Sequence, residues 1–408
     1  MKNYMIFIFL LLSKFSFSQE TEELLKKMDL FYTEEEYELA IPVLNDLLLR
    51  IKNDPELILK RGNCYYETGE YEKALKDYRK LKNILPERTD VLYKMGNTFS
   101  QMELVDSAIY YFREFINKNP EESSAYNRLS ILYLEKENHN DSALYFAEKA
   151  IETDPQDPRA YFTLSLSHMN LREYSKSIEK AKKGLEKDST YSFLFQPLGL
   201  SYFYLRDFKN SYKYFNQGLI HDKDNTNMMM YSTISQIYKN TPVKTYFFDK
   251  NENIRLTIAT DHSYDELLEM TENEKSEYYY PLLLQKFNAS HGNMGLDDFL
   301  MLYLGFSKDP NYNPASQKRE DLLKTFDRED YFTFIDQAEK YLKANPADYT
   351  LHWELAMAYK YTGLHQKQYE NFLKYFGFKE AIKSSGDGLS PNSAYLILYT
   401  SHEYDLLG

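Results

Sequence analysis

Small residues recur among apolar ones at a fixed interval through the first half of the chain. Ala40, Ala74, Ala108, Ala143, Ser177 and Ser211 are separated by 34, 34, 35, 34 and 34 residues. Other positions keep the register. After Pro55 come Gly62, Tyr65, Gly69, Tyr71, Ala74, Tyr78, Leu81 and Pro86, and the next period repeats the theme with Gly96, Phe99, Ala108, Phe112, Phe115 and Pro120. Apolar stripes at helical spacing, broken once per period by a turn, predict antiparallel helix pairs stacked into an array. The small residue sits where the second helix of a pair meets the first. The aromatic residue one turn later, Tyr78, Phe112 or Phe215, fills the space between units. Prolines after Leu85, Asn119 and Asp154 stop one helix and start the next. The one extra residue before Ala143 fits the Asn138-His139-Asn140 turn, where an insertion costs little. A helix over 226–240 closes the array as a cap.

These positions resemble the tetratricopeptide repeat, a helix–turn–helix unit of 34 residues. The resemblance covers about 21–225 as six repeats. It is weakest in the first, which has Phe31, Tyr37, Ala40, Leu44 and Leu47 but no Gly at the crossing position. It implies a mostly α fold, a right-handed solenoid, and a scaffold that holds a protein or peptide on a concave face lined by the first helix of each repeat. In repeats two to four that face carries Lys60, Asn63, Lys94, Asn97, Asn127 and Arg128. Lys60, Lys94 and Arg128 are again 34 apart, so they are expected to form a line of positive charge. Asn63 and Asn97 match the Asn that bonds a ligand's backbone or carboxylate in peptide-binding members. One reading is a clamp for an acidic or C-terminal carboxylate group. The other is a consensus Asn beside solvated charge, and the full basic set of dicarboxylate-clamp members is missing. In repeats five and six and the cap, the same positions are apolar: Phe162, Leu166, Met169, Phe193, Leu200, Phe203, Met230, Ile234 and Ile237. A continuous apolar surface of this kind calls for a cover, and the expected cover is the C-terminal half of the same chain.

Beyond Asn240 the pattern changes. Thr241-Pro242 ends the cap helix. Residues 246–248 and 254–258 read as short strands around the polar turn 249–253. Asp249, Asn251 and Asn253 alternate like the start of a calcium loop, but the Gly and the final acid of that loop are absent, so a plain turn is expected. Helices are predicted at about 264–288, 295–304 and 315–326, with Asp297 and Asp298 favouring a helix start. A loop follows at 309–314. The repeat signature returns over 330–376, in Tyr331, Ala338, Tyr341, Pro346, Leu355, Ala356, Tyr359, Gly363 and Phe372, with Trp353 packed between helices. A Gly/Ser-rich turn at 384–391 and a strand at 394–400 complete the pattern. The phrases Asp297-Asp298-Phe299, Tyr303-Leu304-Gly305, Tyr312-Asn313-Pro314, Ser385-Gly386-Asp387-Gly388 and Glu403-Tyr404-Asp405 resemble an uncharacterised domain family of Bacteroidota secreted proteins. That resemblance implies relatedness and compartment but no activity. It also implies a chain continuing past the last phrase, so that the final strand here lacks a partner.

The chain thus divides into a leader (1–18), an array (19–240) and a C-terminal domain (241–408), mostly α with a small hairpin. Lys2, the apolar run 4–12 and small residues at Ser16 and Ser18 describe a secretory signal cleaved after Ser18. The run is far shorter than the roughly 20 apolar residues of a membrane span. The leader's style resembles that of Bacteroidota secreted proteins and implies a periplasmic or exported product. The 408 residues carry a net charge of −13, which disfavours nucleic acid and anionic membranes as partners. Thirty-nine Tyr and 26 Phe provide for a large core, and the single cysteine, Cys64, permits no internal disulfide. No nucleophile elbow, zinc motif or phosphate loop occurs, and the eight histidines are scattered. Ser384 or Ser385 with His291 or His402 is the one catalytic pairing to watch. No cofactor, metal or catalytic residue is expected. The leading expectation is an exported, non-catalytic scaffold. The alternative is an exported glycan- or peptide-processing protein whose C-terminal domain is the active part, which requires a cleft of converging polar side chains there.

Overall fold

A computed structural model of the chain describes residues 19–136, 139–249, 251–310, 312, 317–386 and 395–396. The leader 1–18, most of the expected strand 394–400 and the Glu403-Tyr404-Asp405 phrase lie outside the described residues. The chain forms two compact units, 1–171 and 172–408.

The first unit is a series of helices: α1 (19–33), α2 (Tyr37–Arg50), α3 (Pro55–Glu67), α4 (Tyr71–Ile84), α5 (Asp90–Gln101), α6 (Val105–Lys118), α7 (Ser123–Glu135), α8 (Asn140–Thr153) and α9 (Pro158–Asn170). Asp54 begins α3 by accepting the backbone N–H groups of Glu56 and Leu57 at 3.0 Å, with Pro55 at the first helical position, and Asp157 with Pro158 begins α9 the same way. Ala40, Ala74, Ala108 and Ala143 are all fully buried. The crossing residues work as the spacing requires. A side chain at Gly62 would meet the Tyr78 ring at 2.7 Å, and Ser130 donates to the Ala143 carbonyl at 2.8 Å. Between repeats, Tyr78, Phe112, Met95 and Leu129 form a continuous core. Each such side chain contributes about 1.5–3 kcal/mol when taken out of water.

The second unit begins with α10 (Tyr174–Lys187), α11 (Phe195–Tyr204), α12 (Phe208–His221) and α13 (Thr226–Asn240). A hairpin follows, β1 (Tyr246–Phe248) antiparallel to β2 (Ile254–Leu256), with Phe247 opposite Arg255. The remaining helices are α14 (Thr257–Asp261), α15 (Tyr264–Glu272), α16 (Tyr280–Ser290), α17 (Leu296–Phe306), α18 (Gln317–Asp327), α19 (Tyr331–Ala344), α20 (Tyr349–Tyr361) and α21 (His365–Ser385). At its centre lies α17, which beyond Asp297 and Asp298 in its first turn is apolar on every side and is buried at every residue except Asp298, as a helix stretch without a polar face must be. It packs on α15, α16 and α21, while α21 also packs on α13 and α20. Trp353 lies between α20 and α21, 5.1 Å from the Tyr375 ring and 5.3 Å from that of Phe372.

The compact units meet at Leu171, between α9 and α10, and α13 puts Met229 and Ile237 into the core of the second. Three expectations need correction. Residues 264–288 form two helices, since Asn273 ends α15 and Pro281 stands in the first turn of α16. Thr257 and Ile258 start a short helix instead of extending β2. Ser384 and Ser385 belong to the last turn of α21 rather than to a loop.

Candidate functional site

In the first unit the first helices α1, α3 and α5 line a cavity of about 290 Å³. Asn63, Lys94 and Asn97, three of the six expected polar groove residues, meet there. The rest of the lining is aromatic and acidic: Tyr32, Tyr37, Tyr66, Tyr78 and Glu67. Asn63 is held by two phenols. The Tyr78 hydroxyl donates to its Oδ1 at 3.0 Å, and its Nδ2 donates to the Tyr32 hydroxyl at 2.9 Å. The Tyr32 oxygen therefore accepts, and its own proton stays available to a ligand.

Lys94 is half-buried, and no hydrogen-bond or ion-pair partner meets its ammonium among the described residues. Burial lowers its pKa below the usual lysine range, partly offset by the fields of Asp90 and Glu67. Burial also raises the phenols of Tyr66 and Tyr78, so both remain neutral donors. The cavity thus presents one cation, amide groups and the phenols of Tyr32 and Tyr66, donors suited to a carboxylate, beside the Glu67 carboxylate.

The other three polar residues stand elsewhere. Lys60 is spent on Asp29 at 2.6 Å and lies over the Tyr32 ring. Asn127 is buried, donating to Asp157 at 3.2 Å and accepting from Thr163 at 3.3 Å, so it braces α7 against α9 and does not face a ligand. Arg128 is exposed and does not line the cavity. The expected line of charge is therefore interrupted at Lys60. The phenols Tyr32 and Tyr66, with Glu67, went unread in the sequence, because tyrosine in a repeat array reads first as packing.

The expected apolar residues also separate. Phe162, Leu166 and Met169 are half-buried on α9. Leu200 is buried, and Phe203 packs edge-on to Phe208 and Tyr231. Ile237, with Met230 and Ile234 beside it, joins the core built on α17 and α21, so the C-terminal part covers this portion of the surface. Phe193 is 55% exposed and packs against the Tyr191 ring.

The second unit holds a larger cleft of about 600 Å³ among α11, the hairpin and α21. Its polar groups converge but are spent on one another. Arg255 pairs with Asp249 at 3.1 Å, Arg206 with Glu252 at 3.2 Å, and the Tyr238 hydroxyl donates to Glu380 at 2.5 Å. Asp249 also accepts the backbone N–H groups of Asn251 and Asn253, so its carboxylate organises the turn. Ser385 donates to the Ile382 carbonyl at 2.7 Å and accepts from the Leu396 N–H, which leaves its hydroxyl no base to serve. Among the described residues no cluster has the makings of a metal site, and no helix is long and apolar enough to cross a membrane.

Residues 55–88 and 93–158 match the tetratricopeptide repeat family. Residues 265–408 match a domain of unknown function (DUF4919). The chain thus carries a tetratricopeptide-repeat solenoid followed by this mainly helical domain, the architecture of a protein-interaction scaffold. No curated protein matches it. Among solved structures it is similar to a tetratricopeptide repeat protein from Parabacteroides merdae, at 15% identity over 54% of this chain and 87% of that one, with a TM-score of 0.48. It is also similar to the C-terminal part of a repeat protein from Cytophaga hutchinsonii (19% identity, 53% and 86%, TM-score 0.44). A third is a thermophilic repeat protein of Thermus thermophilus (18% identity, 45% and 98%, TM-score 0.38).

Proposed function

We propose that this chain is an exported, non-catalytic adaptor that captures a protein or peptide through a carboxylate seated in the cavity of α1, α3 and α5. The observation that carries this reading is Lys94: a half-buried ammonium with no hydrogen-bond or ion-pair partner among the described residues, facing a cavity that Asn63 and Asn97 also line. A buried cation is costly alone and favourable once a carboxylate pairs with it. Export rests on the leader. Chain isolated from its own cell envelope is expected to begin at Gln19, and an intact Met1 there would refute cleavage.

Binding is tested by fluorescence polarisation with a library of short peptides, each made with a free and an amidated C-terminus. Peptides with a free or acidic terminus are expected to bind, and their amides to bind more weakly. A hydrogen-bonded charge contributes roughly 1.5–3 kcal/mol, so Lys94→Met is expected to weaken binding about 10- to 100-fold. Equal binding of acids and amides, or a Lys94→Met chain that binds as before, would move the binding surface elsewhere.

A further inference from the structure

A second unspent lysine lies in the C-terminal domain. Lys374 on α21 is half-buried, with its ammonium 5.0 Å from the centroid of the Phe287 ring on α16. No hydrogen-bond or ion-pair partner meets that ammonium among the described residues. The ring face offsets part of the charge, but the three N–H donors are left without protein acceptors. The neighbouring acids are engaged already. Glu339 accepts from the Tyr359 hydroxyl and from Lys367, the latter at 2.9 Å. Glu370 accepts from Gln366 at 3.1 Å.

A cavity of about 270 Å³ lies in front of Lys374, near the lower end of the roughly 300–1,000 Å³ of small-ligand pockets. Its wall is held rigid by His352, whose Nδ1 donates to Asn371 Oδ1 at 2.8 Å, and by Asn371, whose Nδ2 donates to the Lys367 carbonyl at 2.9 Å. Leu342 and Leu355 supply an apolar side. The charged lining is Lys343, Lys367 and Lys374 against Glu339 and Glu370. That leaves one positive charge in excess, which a monoanion neutralises. A phosphate dianion would add surplus negative charge beside two glutamates.

We propose that this cavity is a binding site for a small carboxylate, seated on the Lys374 ammonium, with the ligand's apolar part against Leu342, Leu355 and Phe287. The carboxylate can belong to a free organic acid or to a peptide terminus. The site belongs to the C-terminal domain and stands independently of the reading given to Lys94.

The test is thermal melting of the full chain, followed by the emission of Trp353, the only tryptophan, in sodium acetate against sodium chloride at equal ionic strength. N-acetyl-alanyl-alanine and its amide distinguish the two sources. A saturable rise in Tm with acetate or with the peptide acid, absent with the amide, lost in Lys374→Met and kept in Lys374→Arg, is the expected result. A rise with acetate assigns the site to free acids, and one with the peptide alone assigns it to chain termini. No rise with either, an equal rise in Lys374→Met, or a larger rise with phosphate would overturn the proposal. If Lys374→Met does not melt cooperatively, the wild-type chain decides. Burial holds the Lys374 pKa below its usual range, and Tyr359 titrates above the window. The acetate effect should therefore fade before the usual lysine pKa of about 10.4 is reached. An effect undiminished there would also overturn the proposal.

Discussion

A lysine on a helix face serves a ligand only when no neighbour has taken it. Lys60 and Lys94 occupy the same place in successive repeats, and by spacing alone they are equivalent. Asp29, one repeat earlier, separates them: it takes Lys60 at 2.6 Å, and among the described residues no acid does the same for Lys94. Asn127 diverges in the same way from Asn63 and Asn97, because Asp157 and Thr163 draw it into the interior. The register of these residues is legible in one sequence. Their occupancy is not, since each partner comes from a neighbouring repeat. His352 is a further case, read in the sequence only as one of eight scattered histidines. Burial, with Lys374 adding repulsion, lowers its pKa to about 3. In the unfolded chain it titrates near 6.5. Between those values the unfolded state binds a proton that the folded state refuses, so the neutral imidazole supports the fold above about pH 6.5, and that support is lost as pH falls toward 3. The slope from this one group is at most about 1.4 kcal/mol per pH unit. Urea titrations from pH 7 down to about pH 4, followed by Trp353 emission, should show a steeper loss of stability in the wild-type chain than in His352→Gln. Parallel curves would mean that His352 takes its proton without unfolding.

Helix pairs repeat here because the turns between them repeat. A left-handed backbone residue occurs at Glu35, Gly69, Glu103, Arg172 and Arg206, and again at Glu329 and Gly363. Within each run these positions keep the period of the array, yet only two of them are glycine. A side chain in the left-handed region costs roughly 1–2 kcal/mol, so the packing of the flanking helices must impose the turn on five of the seven. Glu103→Gly should therefore stabilise the first unit by about 0.5–1 kcal/mol after the added freedom of the unfolded chain is subtracted. The check is a shift of the urea midpoint at unchanged m-value, read by far-UV circular dichroism. A lower midpoint would show that the Glu103 side chain does something for the fold that the backbone angle does not reveal. The elements legible in sequence were those with strong periodicity, α2 to α13 and α19 to α21. Two were misread: the break between α15 and α16, where Asn273 and Pro281 interrupt what reads as one helix, and the helical turn after β2, where a short apolar run serves helix and strand equally well.

At the scale of the molecule the repeat pattern and the compact units do not share a boundary. Six repeats and a cap read as one object because their spacing is uniform, but spacing carries no record of what covers an apolar face. The cap helix α13 shows the consequence. Met229 and Ile237 are buried in the core built on α17 and α21. Gln236 and Asn240 each donate to the Gly292 carbonyl at 2.7 Å, Tyr369 donates to Gln236 at 2.7 Å, and Tyr238 donates to Glu380. A fragment of 241–408, the natural cut from sequence, would expose that core and leave Glu380 and the Tyr369 hydroxyl without these partners. Losing one buried aliphatic side chain costs about 2–5 kcal/mol, and folded domains are stable by only about 5–15 kcal/mol. A fragment of 172–408 keeps all of these contacts. It should melt cooperatively with the Trp353 emission of the full chain, whereas 241–408 should show red-shifted emission and no cooperative transition. Ile237→Ala in the longer fragment should lower its stability by about 2–5 kcal/mol. If 241–408 melts like 172–408, then α13 is a cap lying on a finished domain, and the sequence-based boundary at Asn240 is the physical one.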